Sequence, residues 1–466
     1  MPNNRSIASL FSFVKESLGS SEHQDFTKGS IRRAVFLLAI PMILEMCMES
    51  VFAVVDIFFV NKLTTNSSLA SSTVVLTESM ITIVYSIAIG LSMAATAMVA
   101  RRVGEKNHEG AAKAGAQAIL LSLMVSVIIS IVGSLFAKNI LQIMGGTPEI
   151  VEYGTAYTRI MFMGNAVIML LFLLNGIFRG AGDAAIAMRS LWLANICNII
   201  LCPVCIHFFG LKGAAIATTV GRGIGVCYQV FNLLKGKGII KIHLNYFRPD
   251  AALLKSISNV AGIATMQFIV ASASWIAMAR IMASFGNSDT IAGYGIAIRL
   301  IVFFIMPAWG LSNAAATLVG QNLGADQPER AEQSVWKVAK YNAIFMAFVS
   351  VLFLGGAEFF VGIINSNPAV MKTAVSALRI VSLGYIFYGV GMVMMNAFNG
   401  AGDSKTPTII NLFWFWLFQI PVAYLVAVVW GFGEIGVFLA IVTTETAVTI
   451  TSVILFKKGK WKLVKI

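Results

Sequence analysis

Runs of twenty or more mostly apolar residues, parted by short polar loops, recur along the whole 466-residue chain. A helix needs about 20 such residues to cross the hydrocarbon core of a bilayer. In lipid every backbone amide must find its partner inside the protein, so only helices and closed barrels can span it. A barrel strand is an alternating segment of about ten residues, and these runs do not alternate. Twelve runs can be marked, from 34–60 at the start to 435–456 at the end. The chain is therefore expected to be an all-α polytopic membrane protein with twelve transmembrane helices. Composition agrees where it is needed: charged residues make up 12% of the chain, against about 25% in a soluble domain.

The net charge of +13 invites a nucleic-acid reading, and its distribution removes that reading. With the N-terminus in the cytoplasm, 25 of the 34 Lys and Arg fall in inside segments. Four fall in outside loops: Lys62, Lys138, Lys212 and Lys372. Five lie within or at the edges of spans: Arg159, Arg222, Arg280, Arg299 and Arg379. This asymmetry is the positive-inside rule. It predicts a multi-pass protein of the inner (plasma) membrane with both termini cytoplasmic, lipids as neighbours and no nucleic-acid partner. The first thirty residues lack the apolar core of a signal peptide, so no cleavage is expected. Phe11, Phe13, Val14 and Leu18 suit either a short interfacial helix or a plain cytoplasmic tail.

The sequence is written twice. "FRGAGD" at 178–183 returns as "FNGAGD" at 398–403, and 403 minus 183 is 220. "GLS" at 90–92 returns at 310–312, "VGEKNHEGA" from Val103 is answered by "LGADQPERA" from Leu323, and Arg159 by Arg379, all at the same offset. The repeat predicts two pseudo-symmetric six-helix lobes. Six is even, so both lobes enter from the same side and the repeat is parallel. The expected organisation is a cytoplasmic N-terminal tail at 1–30, an N-lobe at 31–234, a cytoplasmic linker at 235–255, a C-lobe at 256–456 and a basic cytoplasmic tail at 457–466. Two such lobes enclose a cavity that rocking opens to either side in turn, the physics of a transporter. The "GAGD" loops read as tight turns, with Gly ending one helix and Asp capping the next.

The first span carries Glu45, Glu49 and Asp56. A carboxylate at a bilayer centre costs about 2.5–3.5 kcal/mol even on the lenient insertion scale. At about 100° per residue, all three fall on a stripe about 40° wide. The stripe must face protein or water. One reading is that each acid merely pairs with a buried arginine or closes an interhelical hydrogen bond. The other is a site that loads H⁺ or Na⁺ on one side of the membrane and releases it on the other.

Other chemistry finds no support. The cysteines Cys47, Cys197, Cys202, Cys205 and Cys227 all fall inside spans and read as packing residues, the "CPVC" spacing notwithstanding. The four histidines form no ligand set, no Walker motif is present, and no nucleophile–base pair can be assembled. Neither an enzyme nor a metal or organic cofactor is expected, and ATP on this chain is not the energy source.

"P…VVDIFFV" in the first span, "GLS…VARRVG" with "GLS…VGQNLGA", and "RGAGD" with "NGAGD" together resemble the MATE family of multidrug and toxic compound extrusion antiporters, over about residues 31 to 460. The resemblance implies the two-lobe fold and cation-coupled export by alternating access. It is closer to the DinF-like branch, where a first-span Asp fifteen residues after a Pro is the coupling carboxylate. Pro41, a helix-bend residue, and Asp56 take those positions here. In that branch the Asp is joined by an Asn and an Asp in the fifth span and a Thr in the sixth. This chain supplies Asn198 and Thr218 but has Cys202 where the second acid is expected, so Glu45 or Glu49 is expected to replace its charge. The NorM-like branch uses acids in the seventh and tenth spans, where this chain has none.

The C-lobe has charges of its own in Arg280, Arg299 and Glu445. Arg299 with Glu445 is a candidate C-lobe charge pair; the alternative is that Glu445, with Arg299 and Arg280 nearby, contacts substrate. The 22 Met and 32 Phe suit promiscuous recognition, and "FWFWLFQ" at 413–419 is expected to offer Trp414 or Trp416 to the cavity. The expected function is a cation-coupled (H⁺ or Na⁺) antiporter exporting amphipathic or cationic drugs and toxic organic compounds, acting as a monomer. One rival is a lipid-linked precursor flippase, which wants an arginine-lined cavity. The other is a membrane receptor or scaffold, which has no use for duplicated lobes or an acid stripe.

Overall fold

The computed structural model describes residues 12–19, 24–64, 66–236 and 238–466, and among these there is no β-strand. Residues 12–18 form a short helix, α1. Its Phe13 packs against the C-lobe core; Phe11 of the expected interfacial helix lies outside the described residues.

The N-lobe follows as α2 (Ile31–Leu63), α3 (Ser67–Gly104), α4 (His108–Leu135), the short α5 (Ala137–Ile143), α6 (Pro148–Met163), α7 (Asn165–Ala181), α8 (Ala184–Phe209) and α9 (Leu211–Lys235). The C-lobe comprises α10 (Ala251–Ala283), α11 (Ser288–Gly324), α12 (Pro328–Ile364), α13 (Pro368–Ser382) and α14 (Tyr385–Gly400). It continues with a span at Lys405–Val429 and α17 (Gly433–Lys457). The Lys405–Val429 span is α15 (Lys405–Asn411), a π-helical stretch Leu412–Gln419, α16 (Ile420–Tyr424) and a second π-helical stretch Leu425–Val429.

Local chemistry sets the helix ends. The Asn107 side chain caps α4 at the amide of Gly110. Asp250 caps α10 at the amides of Ala252 and Leu253. Prolines 148, 328 and 368 open their helices where a missing N–H costs nothing.

Among the described residues nine helices are long and apolar enough to span a membrane alone. Two more spans are bent pairs, α6 with α7 at 40° and α13 with α14 at 60°, which makes eleven. The twelfth expected span corresponds to α9, which has the length but falls short in hydropathy. It carries Lys212, Arg222 and Lys235 together with four glycines, and Arg222 is buried against the N-lobe rather than offered to lipid.

The duplication is written into the backbone. α2 and α10 begin at 31 and 251 and end at 63 and 283; α3 and α11 end at 104 and 324; α6 and α13 begin at 148 and 368. The kinks fall at Gly164 and Gly384. The two non-glycine residues with positive φ among those described are Lys106 and Asp326, again 220 apart. In the GAGD loops Gly182 and Gly402 both take φ near +90° (97° and 87°), the left-handed cap that only glycine adopts at no cost. Asp403 then caps as expected, accepting from Thr406 N and Oγ1. Asp183 does not cap its own helix; it reaches across to the Ile239 amide of the linker.

The lobes exchange their edges. The first half of α2, from Ile31 to Met42, is buried in a core with α11, α12, α14 and α17 of the other lobe. Symmetrically, Ile257, Val260 and Ala261 of α10 join the N-lobe core. At the end of the bundle that carries both termini the lobes touch through small residues. A side chain on Gly104 would run into the Gln321 carbonyl, and one on Gly324 into the Arg101 carbonyl. Gly90 and Gly310 likewise press on α10 and α2. Arg101 donates to the Ala401 carbonyl and Gln321 to the Gly180 carbonyl, one bond in each direction across the pseudo-axis.

Candidate functional site: a charged cavity between the lobes

Below that closed end the lobes part around a cavity of about 510 Å³. Thr96 and Ala316 lie deepest toward the termini, and Asp56 and Glu78 lie at the other end. Its N-lobe wall includes Tyr85 and Phe172, and its C-lobe wall Trp309 and Asn313.

The acid stripe of α2 faces the N-lobe interior and this cavity, but its members have different partners. Glu45 is 1% exposed. It accepts a hydrogen bond from Asn175 Nδ2 at 2.9 Å and faces Arg179 Nη1 at 3.5 Å. Glu49 accepts from Arg222 Nη2 at 3.0 Å and from Asn195 Nδ2 at 3.2 Å. Arg222 in turn sits over the rings of Phe52, Tyr85 and Phe172, 5.3 to 5.8 Å from their centroids. Asp56 is 8% exposed, lines the cavity, and among the described residues receives only the soft thiol of Cys202, at 3.8 Å from Oδ1. From Glu45 to Asp56 is about 16 Å along the helix axis, so the stripe is three polar storeys rather than one cluster.

Asn198 and Thr218 hydrogen-bond to each other at 3.0 Å, one turn from Cys202 on α8 and on the facing α9. Thr218 opens onto the cavity beside Asp56. Cys202 therefore does occupy the place next to Asp56 where a second acid was expected. Glu45 and Glu49, expected to replace that charge, are each paired with an arginine, Arg179 and Arg222. A further acid lines the same cavity from α3: Glu78 stands within Coulombic reach of Asp56, Arg222 and Arg299. The sequence reading passed over Glu78, although a lone acid in "TVVLTESMITIVYS" was itself a signal. It also counted Arg179 with a loop, whereas Arg179 lies within α7 and faces Glu45. Pro41 sits inside α2, which continues through it.

The C-lobe departs from expectation. No ion pair joins Arg299 to Glu445 among the described residues. Arg299 is exposed on the face of α11 that carries Val302, Met306 and Trp309 toward the cavity, opposite Glu78. Glu445 lies on α17 behind α11, in a separate small pocket with Tyr385 and Tyr388. Arg280 is exposed in the last turn of α10 and lines neither pocket. Trp414 and Trp416 do not reach the cavity. Their indole N–H groups turn to Thr451 of α17 and the Val270 carbonyl of α10, and the cavity tryptophan is Trp309. With Arg179 and Arg222 tied to acids and Arg280 elsewhere, Arg299 is left on the cavity side, which among the described residues is not the arginine cluster a pyrophosphate-lipid flippase requires.

The MatE family model matches residues 41–204 and, a second time, residues 263–425. The chain belongs to the MATE family. It is 23% identical to the probable multidrug resistance protein YpnP of Bacillus subtilis, over 95% of this chain and 98% of that one. It is 24% identical to the probable multidrug resistance protein NorM of Thermotoga maritima, over 93% of each, and 22% identical to the multidrug export protein MepA of Staphylococcus saprophyticus, over 92% and 94%. These MATE relatives are transporters, not enzymes, and do not separate the DinF-like from the NorM-like branch. A MOP superfamily transporter from Pyrococcus furiosus shares the fold with TM-score 0.88 at 23% identity, covering 96% of this chain and all of that one. So does an outward-facing multidrug resistance MATE transporter, with TM-score 0.87 at 24% identity, over 95% and 98%.

Proposed function

We propose that this MATE protein is a cation-coupled exporter of amphipathic organic cations, with Asp56 as its coupling carboxylate and Glu78 beside it. One observation carries the reading: of the three first-helix acids, Asp56 is the one without an ion-pair partner among the described residues, and it faces the cavity. Glu45 and Glu49 hold Arg179 and Arg222 and act as framework. An acid that must bind and release a cation cannot be permanently neutralised by an arginine. Asn198 and Thr218 stand one turn away as oxygen donors, which fits the DinF-like pattern with Glu78 in place of the acid that Cys202 replaces. Carboxylates over aromatic faces and Met46, Met93 and Met306 suit a flat, greasy cation.

The cavity is complete within one chain, so a monomer suffices. With the termini in the cytoplasm of an inner-membrane protein, as the Lys and Arg distribution favours, the cavity is closed on the inside and belongs to the outward-facing stage of alternating access. The test is transport of a fluorescent organic cation in proteoliposomes under proton and sodium gradients imposed separately. Export driven by one of them supports the reading and names the ion; export driven by neither refutes it.

A further inference from the structure

Glu445 is a buried acid that the N-lobe mechanism does not use. It sits near the middle of α17 and is 8% exposed, with no ion-pair or hydrogen-bond partner among the described residues. Its pocket, about 20 Å³, is walled by Trp275 of α10, Ile301 and Ile305 of α11, Val381 of α13, and Gly384, Tyr385 and Tyr388 at the start of α14. Among the described residues, the only titratable groups that face it are the two phenols, both on α14. The Tyr385 hydroxyl is itself buried without a partner. An ionised carboxylate at this depth, with no cation beside it, would bear an uncompensated desolvation cost. A proton on the carboxyl group would remove that cost.

We propose that Glu445 is a second, C-lobe proton-binding site, loaded in the conformation described here and emptied when the C-lobe rearranges. The proposal rests on the reading that a cation gradient drives export. It names a proton and not a metal cation, because hard cations require several oxygen ligands. This pocket has one carboxylate and two phenols and room for about one water.

The pocket lies where the lobe is built to move. Gly384 in its wall is the break at which α13 and α14 bend by 60°. Ile305 precedes Pro307, which interrupts the hydrogen bonding of α11. The adjacent face of α11, at Val302, Met306 and Trp309, lines the main cavity. A shift of α11 would admit water to Glu445, and the proton would leave the carboxyl group for that water.

The experiment uses the purified full-length protein in proteoliposomes, with ethidium as the exported probe. The variants Glu445→Gln, Glu445→Asp and Asp56→Asn are assayed side by side. Glu445→Gln should keep the wild-type melting temperature, since one neutral side chain replaces another. It should lose proton-driven uphill export and remove one step from the rate-against-pH profile. Glu445→Asp should retain that step. Infrared spectra of the wild type at neutral pH should contain a protonated-carboxyl stretch that is absent from Glu445→Gln.

Glu445→Gln with wild-type export and pH profile overturns the proposal, and leaves the N-lobe site standing if Asp56→Asn is inactive. An active Asp56→Asn beside a Glu445→Gln that has lost its titration step supports Glu445 and removes Asp56. If Glu445→Gln does not fold, the band of Glu445→Asp decides: a shifted protonated-carboxyl stretch supports the site, and an unshifted one overturns it.

Discussion

A buried arginine determines what Glu49 can do. Arg222 is enclosed by three aromatic rings and has one carboxylate in hydrogen-bonding contact. Removing one partner of such a pair leaves the other charge uncompensated, at a cost of about 3–5 kcal/mol. Glu49→Gln should therefore lower the melting temperature of the detergent-solubilised protein sharply. The double variant Glu49→Leu with Arg222→Met should recover much of the loss, because no buried charge remains. Asp56→Asn breaks no ion pair and should melt close to wild type. If Asp56→Asn melts as low as Glu49→Gln, the division between framework and coupling acids is wrong. The sequence showed that three acids share a stripe, but it did not show which is free. That depends on Arg179 and Arg222, which lie well over a hundred residues away and meet the stripe only in the folded lobe.

At the scale of elements, α3 and α11 cross where both helices lack side chains. Gly104 and Gly324 are related by the 220-residue offset, and each lies against the other helix's backbone. A methyl group there forces the helices apart, and overpacking of this kind costs about 1–3 kcal/mol. That cost falls on the conformation in which the two helices touch. Gly104→Ala and Gly324→Ala should each shift the population toward the state in which the cavity opens on the termini side. Spin-label distances across the outer mouth should read this as shortening; unchanged distances would show that the crossing does not set the equilibrium.

Helix positions and the duplication were legible in the sequence because apolar run length and motif spacing are local properties. The weak hydropathy of α9 was also legible there, but the partner of its buried Arg222, Glu49 on another helix, was not. The outward turn of Trp414 and Trp416 was not legible. Their π-helical backbone and their acceptors on α10 and α17 have no signature in "FWFWLFQ".

At the scale of the whole molecule, the segments at 25–29 and 462–464 cross the closed face between the lobes. Lys106 Nζ donates to Asp25 Oδ2 at 2.8 Å, and the Arg330 guanidinium holds the carbonyls of Phe26, Lys28 and Gly29. On the other strap Arg101 donates to the Val464 carbonyl at 2.9 Å and Lys462 pairs with Glu332 at 2.6 Å. Partial burial works against the charge of Asp25, but the hydrogen bonds from Lys106 and Thr27 and the Lys106 charge outweigh it and lower its carboxyl from the ordinary 3.8 to about 2. A depressed carboxyl contributes its stability above its unfolded value and loses it as the pH falls through the folded one. Pepsin cleavage before Ile31 should therefore rise as the pH drops from 3.8 through about 2. In Asp25→Asn it should be high throughout that window; a wild type with flat cleavage would remove Asp25 from the strap.

The account turns on Asp56 as the link between ion and substrate, and the most direct measurement separates driving from moving. Wild type and Asp56→Asn, reconstituted at matched density, are assayed for uphill export of a fluorescent cation against its gradient and for exchange of the same cation at equal concentrations. An uncharged Asn cannot distinguish the loaded from the empty state, and a ligand shifts an equilibrium only through differential affinity. The prediction is that Asp56→Asn abolishes uphill export while equal-concentration exchange persists. Wild-type uphill export by Asp56→Asn, with Glu45→Gln or Glu49→Gln folded but inactive, would contradict it and move the coupling site along the stripe.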